Sequence, residues 1–158
     1  MSCVPSSRMT TSSYPAGPKS VPAVRRRILL VDDDEPAARL LAHMLGTDYQ
    51  VTISTNGLDG LALARSAPPP ELIITDVEMP YLDGFSMVRE LRASPHAAHV
   101  PVIFLTAHAR PAEVVEGIQA GARHYVTKPV NVDDLVEKVR HCLRGAPPSL
   151  RPSSFPMK

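Results

Sequence analysis

The stretch LIITD, residues 72–76, decides the fold of this 158-residue chain. It is a continuous apolar run that ends in a hydroxyl and a carboxylate. Continuous runs, unlike alternating ones, are typical of parallel strands that are covered on both faces. Similar runs lie at residues 28–31, 102–105 and 125–126, with a weaker one at 51–53. The sequence therefore predicts five strands.

The segments between these runs have the period of amphipathic helices. Pro36 and Pro111 can occupy first turns, and Asn131 can cap the last helix. Five strands that alternate with five helices in about 115 residues predict an α/β fold with a doubly wound parallel sheet. The predicted apolar helix faces are Leu41, Met44 and Leu45; Phe85, Val88 and Leu91; and Val132, Leu135, Val136, Val139 and Leu143.

The formal net charge of +1 is the balance of three unlike regions. Residues 1–27 carry +5, residues 28–143 carry −7 and residues 144–158 carry +3. We expect no dedicated nucleic-acid binder, because the residues after 143 are too few for an output module. Two cysteines give neither a disulfide framework nor a metal-binding spacing, and no stretch approaches the ~20 apolar residues of a membrane span. These features predict a cytoplasmic protein without a membrane segment.

Charged and hydroxyl side chains follow the predicted strands. Residues 32–35 are all acidic, Asp76 ends the third run, Thr106 ends the fourth, and Lys128 follows the fifth. Ligands of such sheets bind beyond the carboxyl ends of the strands. Clustered carboxylates repel one another and favour Mg²⁺, and an ammonium with a hydroxyl opposite leaves space for a phosphoryl group. Asp76 on the middle strand can serve as the nucleophile.

With these residues in place, the chain resembles the receiver domains of two-component response regulators, such as the single-domain chemotaxis regulators. The resemblance covers residues 26–144. It implies a flavodoxin-like sheet of order 2-1-3-4-5. The motifs that carry it are ILLVDD at residues 28–33, LIITDVEMP at 72–80 with Asp83-Gly84, PVIFLTA at 101–107 and GARHYVTKP at 121–129.

The resemblance implies a phosphoacceptor at Asp76, which receives a phosphoryl group from a sensor histidine kinase or a phosphotransfer protein. It implies Mg²⁺ as the cofactor, bound directly by Asp33 and Asp76, through water by Asp32, and by the backbone carbonyl of Glu78. A protein of this kind is a signalling switch and not a turnover enzyme, beyond self-phosphorylation from small donors and autodephosphorylation.

The remaining implied roles concern the response to phosphate. Thr106 and Lys128 match the residues that bind phosphoryl oxygens. Thr106 and Tyr125 match the switch pair, which changes the surface of the fourth helix, fifth strand and fifth helix for a downstream protein. Glu78 and His108 match positions that tune the lifetime of the phosphate.

Three consecutive aspartates leave the register of the metal pair open. The pair is Asp32 and Asp33 when counted from the strand, and Asp33 and Asp34 when counted from the Asp-Glu-Pro that opens the following helix. The ungapped distance to Asp76 favours the earlier pair, which we adopt. Asp33 belongs to both.

The chain outside the resemblance is rich in Ser and Pro. It predicts a disordered basic tail at residues 1–25, a receiver domain at 26–144 and a disordered Pro-rich tail at 145–158. The second tail is short for an output module, so we expect no direct DNA-binding module; the chain is either stand-alone or part of a larger protein.

Two other functions compete with this interpretation. Asp32 and Asp34 have the spacing of the acids in haloacid-dehalogenase-like phosphatases, but Glu35 and Pro36 do not continue that pattern. The second competing function is that of an interaction module that never receives phosphate. The complete set of acids, Thr106 and Lys128 argues against it.

Overall fold

Residues 24–144 are described by the structure, which is a computed structural model. They form one sheet with helices on both faces. The strands are β1 (Arg26–Val31), β2 (Tyr49–Ser54), β3 (Leu72–Asp76), β4 (Val102–Thr106) and β5 (His124–Thr127). The helices are α1 (Glu35–Leu45), α2 (Gly57–Ala64), α3 (Gly84–Arg92), α4 (Pro111–Ala120) and α5 (Val132–Leu143), with a short 3₁₀ turn at Gly46–Asp48.

All five strands are parallel, and their order is β2-β1-β3-β4-β5. The predicted doubly wound α/β fold and its strand order are confirmed. Parallel strands need crossover connections. Each of the first four strands is therefore followed by a helix that returns the chain to the end of the sheet where the next strand begins. The carboxyl ends of all five strands therefore meet at one edge of the sheet.

The sheet separates two hydrophobic cores. Strand residues of β1 alternate between them, with Ile28 and Leu30 facing α1 and α5, and Leu29 and Val31 facing the other three helices. The strands β3 and β4 are buried along their whole length, as the continuous apolar runs predicted. Burial on both faces fixes the register of these central strands and so the positions of the residues that follow them.

Side-chain caps fix where four of the helices begin. Asp34 accepts a hydrogen bond from the backbone N–H of Ala37 at the start of α1, and Asn131 accepts one from Asp134 at the start of α5. Asn56 and Asp83 cap α2 and α3 in the same way. Each cap satisfies a backbone donor that the helix itself leaves free.

One predicted helix face needs correction. Leu41 and Leu45 are buried, but Met44 is 46% exposed. At about 100° per residue, position 44 lies roughly 60° around the helix from Leu41 and roughly 100° from Leu45, on the far side of Leu41. The buried face of α1 is therefore narrower than the sequence pattern suggested.

Arg92 at the end of α3 joins three parts of the chain. Its guanidinium donates hydrogen bonds to the carbonyls of Ala98 and Val100, which lead into β4. It also donates to the carbonyls of Ala120 (3.4 Å) and Gly121 (3.0 Å), where α4 ends. Four hydrogen bonds from one guanidinium thus hold the end of α4 to α3 and to the start of β4.

The predicted tails fall mainly outside the described residues, and the three domain boundaries stay predictions. Among residues 24–144, no helix is both long enough and apolar enough to cross a membrane.

Glu71, just before β3, joins β3 to β1 at the end of the sheet opposite the acidic residues. Its carboxylate accepts hydrogen bonds from Arg26 Nη1 at 2.7 Å and from the Arg27 backbone N–H at 2.9 Å. Burial alone would raise the pKa of Glu71, but the hydrogen bonds and charges of Arg26 and Arg27 outweigh it and lower this pKa.

Glu71→Gln is expected to lower the free energy of unfolding by about 1 kcal/mol at neutral pH. Because the pKa of Glu71 is lower in the folded protein, its stabilisation is complete above the unfolded value of 4.5 and disappears as the pH falls through the folded value. Urea unfolding across this pH range should show that the free energies of unfolding of the wild type and Glu71→Gln become equal in acid. Glu137→Gln, at an exposed position of α5, is the control; a difference independent of pH would contradict the prediction.

Candidate functional site

Four strand ends deliver polar side chains to the same edge of the sheet. Asp32 and Asp33 follow β1, Asp76 is the last residue of β3, and Thr106 is the last residue of β4. Lys128 follows β5 directly. This convergence follows from the parallel topology, as the sequence predicted.

Three carboxylates form the centre of the site. Oxygens of Asp32, Asp33 and Asp76 all lie within 4.8 Å of one another. Asp32 and Asp76 are buried, while Asp33 is exposed and leaves the cluster open to solvent. Burial, and secondarily the negative charge of Asp76, raises the pKa of Asp32 against the opposing effects of the Asp34 backbone and Lys128.

Lys128 supplies the positive charge of the cluster. Its Nζ lies 2.9 Å from Asp76 Oδ2 and 3.5 Å from Asp32 Oδ2. Burial would lower the pKa of Lys128, but the hydrogen bond and charge of Asp76, with those of Asp32, raise it. The ammonium therefore stays charged, and one cation faces three carboxylates.

This donor set fits a hard divalent cation. It consists of carboxylate oxygens, it carries an excess of negative charge, and it is accessible through Asp33. Mg²⁺ prefers such ligands and retains several waters, so a partly open cluster suits it better than a closed cage.

The structure separates the roles of the three consecutive aspartates. Asp32 and Asp33 lie in the cluster with Asp76, whereas the Asp34 side chain accepts the N–H of Ala37 at 3.1 Å and caps α1. The backbone N–H of Asp34 donates to Asp32 Oδ1 at 2.9 Å, which orients that carboxylate. The geometry favours the earlier register, and the second acid of the phosphatase-like spacing is used as a helix cap.

Thr106 lies at the same edge of the sheet as the cluster, and the Glu78 backbone contacts Asp76 directly. The buried Thr106 hydroxyl donates to the His108 carbonyl at 2.7 Å and accepts from the His108 N–H at 3.1 Å. The Glu78 N–H donates to Asp76 Oδ1 at 3.3 Å. The Thr106 hydroxyl thus forms its hydrogen bonds with the backbone of the loop that follows β4.

Tyr125 connects β5 to α4. It is half-buried, its ring centroid lies 5.5 Å from that of Phe104, and its hydroxyl donates to the Glu113 carbonyl at 2.8 Å. Burial, with the charges of Glu116 and Glu113, raises the pKa of Tyr125 to about 12. The hydroxyl therefore remains a donor at physiological pH.

An acidic cleft extends from the cluster to α4, and the sequence interpretation missed it. Its acidic lining residues are Asp33, Glu78, Asp83, Glu113 and Glu116. Glu113 and Glu116 are three residues apart and so lie on one side of α4, which is a signal that the sequence contains. Such a cleft concentrates cations next to Asp76.

A parallel sheet of order 2-1-3-4-5 with an acidic cluster and a lysine at its carboxyl edge defines the receiver class of signalling proteins. The sequence matches the family described as "Response regulator receiver domain" over residues 28–140. The chain belongs to this family.

Known proteins support the assignment at several levels. The chain is 41% identical over 122 residues to the transcriptional regulatory protein PcoR of Escherichia coli, and the match covers 77% of this chain and 53% of PcoR. It is 38% identical over 120 residues to protein PilH of Pseudomonas aeruginosa, covering 75% of this chain and 98% of PilH. Its structure resembles the chemotaxis protein CheY4 of Vibrio cholerae, with a TM-score of 0.71, 30% identity and coverage of 75% and 99%. The chain thus spans about half the length of PcoR and nearly all of PilH.

Asp34→Ala is expected to lower the free energy of unfolding by about 1 kcal/mol, because α1 loses its cap. Asp34→Asn, which retains a capping oxygen, should lie within a few tenths of a kcal/mol of the wild type. Chemical unfolding in metal-free buffer measures both. Equal losses in the two variants would show that Asp34 acts through its charge and not through the cap.

Proposed function

We propose that this chain is a phosphorylation-dependent switch in which Asp76 accepts a phosphoryl group from a phosphohistidine, with Mg²⁺ bound beside it. The observation that carries the proposal is the approach of Lys128 Nζ to Asp76 Oδ2 within a cluster of three carboxylates. The phosphodonor is a sensor histidine kinase or a phosphotransfer protein, and the setting is the cytoplasm.

The metal ligands are taken to be Asp33 and Asp76, with Asp32 holding a metal-bound water and the Glu78 carbonyl as a further contact. Support comes from the carboxylate cluster and from the place of Glu78 two residues after Asp76. A divalent cation held there would neutralise negative charge on the carboxylates and on the incoming phosphoryl oxygens.

Asp76 is the nucleophile of the transfer. One carboxylate oxygen attacks phosphorus, so that a P–O bond forms as the P–N bond of the donor breaks, and imidazole leaves with its electron pair. Lys128 already contacts Asp76, and its fixed positive charge stabilises the developing charge on the phosphoryl oxygens. The product is an aspartyl phosphate that water later hydrolyses, so the chain does not turn over a substrate as an enzyme does.

Thr106 and Tyr125 are the proposed switch pair. The Thr106 hydroxyl can donate to a phosphoryl oxygen only after it leaves the His108 carbonyl, and this change alters the loop before α4. Tyr125 of β5 packs on Phe104, which lies on β4 two residues before Thr106, so the tyrosine is placed to respond. The surface formed by α4, β5 and α5 then presents a different packing to a downstream protein.

Glu78 and His108 are proposed to set the lifetime of the phosphate. Both positions are exposed and lie two residues beyond Asp76 and Thr106. Substitutions there should change the hydrolysis rate of the aspartyl phosphate without abolishing its formation.

Acetyl phosphate with Mg²⁺ should add one phosphoryl group to the wild-type protein and none to Asp76→Asn, because the amide is not a nucleophile. Intact mass spectrometry detects the adduct. Lys128→Ala should slow the reaction by about a hundredfold or more, since it removes the charge that faces the phosphoryl oxygens. Asp48→Asn, at an exposed site in the 3₁₀ turn, is the control. An unmodified wild-type protein would favour the pure interaction module.

Asp33→Asn and Asp32→Asn are each expected to weaken Mg²⁺ binding by about tenfold or more, whereas Asp34→Ala leaves the affinity unchanged. Isothermal titration calorimetry, with Mg²⁺ added to the metal-free proteins, measures the three affinities. Asp34→Ala should change only the stability of the protein, whereas Asp32→Asn and Asp33→Asn should change the affinity for Mg²⁺. This pattern distinguishes a metal pair of Asp32 and Asp33 from a pair of Asp33 and Asp34. A loss of affinity in Asp34→Ala equal to that in Asp33→Asn would favour the later register.

A further inference from the structure

Gly117 in the middle of α4 provides the space that Tyr125 occupies. A Cβ atom built on Gly117 would lie 1.4 Å from Tyr125 Oη and 2.3 Å from Cζ. No side chain fits between them unless the ring moves. We call Gly117 and the Glu113 carbonyl, which accepts the tyrosine hydroxyl, the Tyr125 seat.

The backbone gives no other reason for glycine at this position. Gly46 and Gly121 have φ angles of +74° and +92° and end helices, where glycine relieves strain. Gly117 lies inside α4 and its φ is outside that range. Glycine destabilises a helix interior relative to alanine, so the close approach of Tyr125 is the feature that explains it.

The seat links α4 to the strand that carries Thr106. The Tyr125 ring packs on Phe104, two residues before Thr106, and its hydroxyl holds the Glu113 carbonyl in α4. Residues 107–110 are the only covalent connection between β4 and α4. When Thr106 turns from His108 towards Asp76, this loop changes while the seated ring holds the helix in place.

We propose that Gly117 is a positioning residue that seats Tyr125 against α4, and that the seated ring holds the protein in its phosphate-free packing. The claim that Gly117 seats Tyr125 rests on the distances between them alone. The claim that the seated ring holds the phosphate-free packing rests on the proposed function, because it assumes that a phosphoryl group on Asp76 drives the conformational change. Removing the seat therefore biases the protein towards the phosphate-bound packing without any change at the acidic cluster.

Thermal unfolding of a double-mutant cycle tests the seat. Gly117→Ala should lower Tm in the wild-type background, because the methyl group displaces the ring. In the Tyr125→Ala background the same substitution should raise Tm, because only the helix preference for alanine remains. A rise in Tm in both backgrounds would overturn the seat.

Beryllofluoride binding with Mg²⁺ tests the conformational role. Gly117→Ala should bind this phosphoryl analogue about fivefold more tightly than the wild type, and the gain should vanish in the Tyr125→Ala background. Amide NMR titration gives the affinities. Equal or weaker binding by Gly117→Ala, while the wild type binds, overturns the conformational role. A wild type that does not bind at all overturns the proposed function, and the conformational role with it, while the unfolding cycle still decides on the seat.

Discussion

The unequal charge balance at the carboxyl edge of the sheet is the constraint on which the rest of the structure depends. Two buried carboxylates and one exposed carboxylate meet a single ammonium. Unit charges about 4 Å apart repel by roughly 4 kcal/mol at an effective dielectric of about 20, so this cluster has to be held by the surrounding fold. The parallel sheet does so, because the cores on both faces fix β1 and β3 in register. The helices also begin at this edge, and the positive ends of their dipoles partly offset the negative charge.

The same packing limits how the molecule can respond to a new charge. The central strands are buried on both faces, and close-packed interiors do not deform continuously. The parts of this edge that are not enclosed on both faces are the loops that follow the strands. Thr106 and Lys128 begin two of these loops, which lead to α4 and α5. The fold thus combines a buried, close-packed support with exposed loops at the edge that carries the acidic cluster.

Much of this arrangement could be predicted from the sequence. Continuous apolar runs identified the strands, and polar residues directly after them identified the edge where they meet, because parallel topology makes that edge common to all strands. The register of Asp32 to Asp34 was harder, since three identical residues differ only in what they contact; the cap on α1 separates them. Met44 was placed on a buried face because helical periodicity does not give the width of the stripe that packs. Gly117 carried no local signal at all, because its partner, Tyr125, lies on another element.

The anchoring of α4 differs sharply between its two ends. At its C-terminus Arg92 binds the carbonyls of Ala120 and Gly121, while at its N-terminus Arg110 provides no side-chain hydrogen bond as a cap. The N-terminal half of α4 is held instead by side chains of other elements, because Tyr125 donates to the Glu113 carbonyl and Arg89 pairs with Glu116. The first turn of α4, which carries the Glu113 carbonyl, also borders the acidic cleft. The position of this turn beside the cleft therefore depends on two side chains from other elements and not on a helix cap.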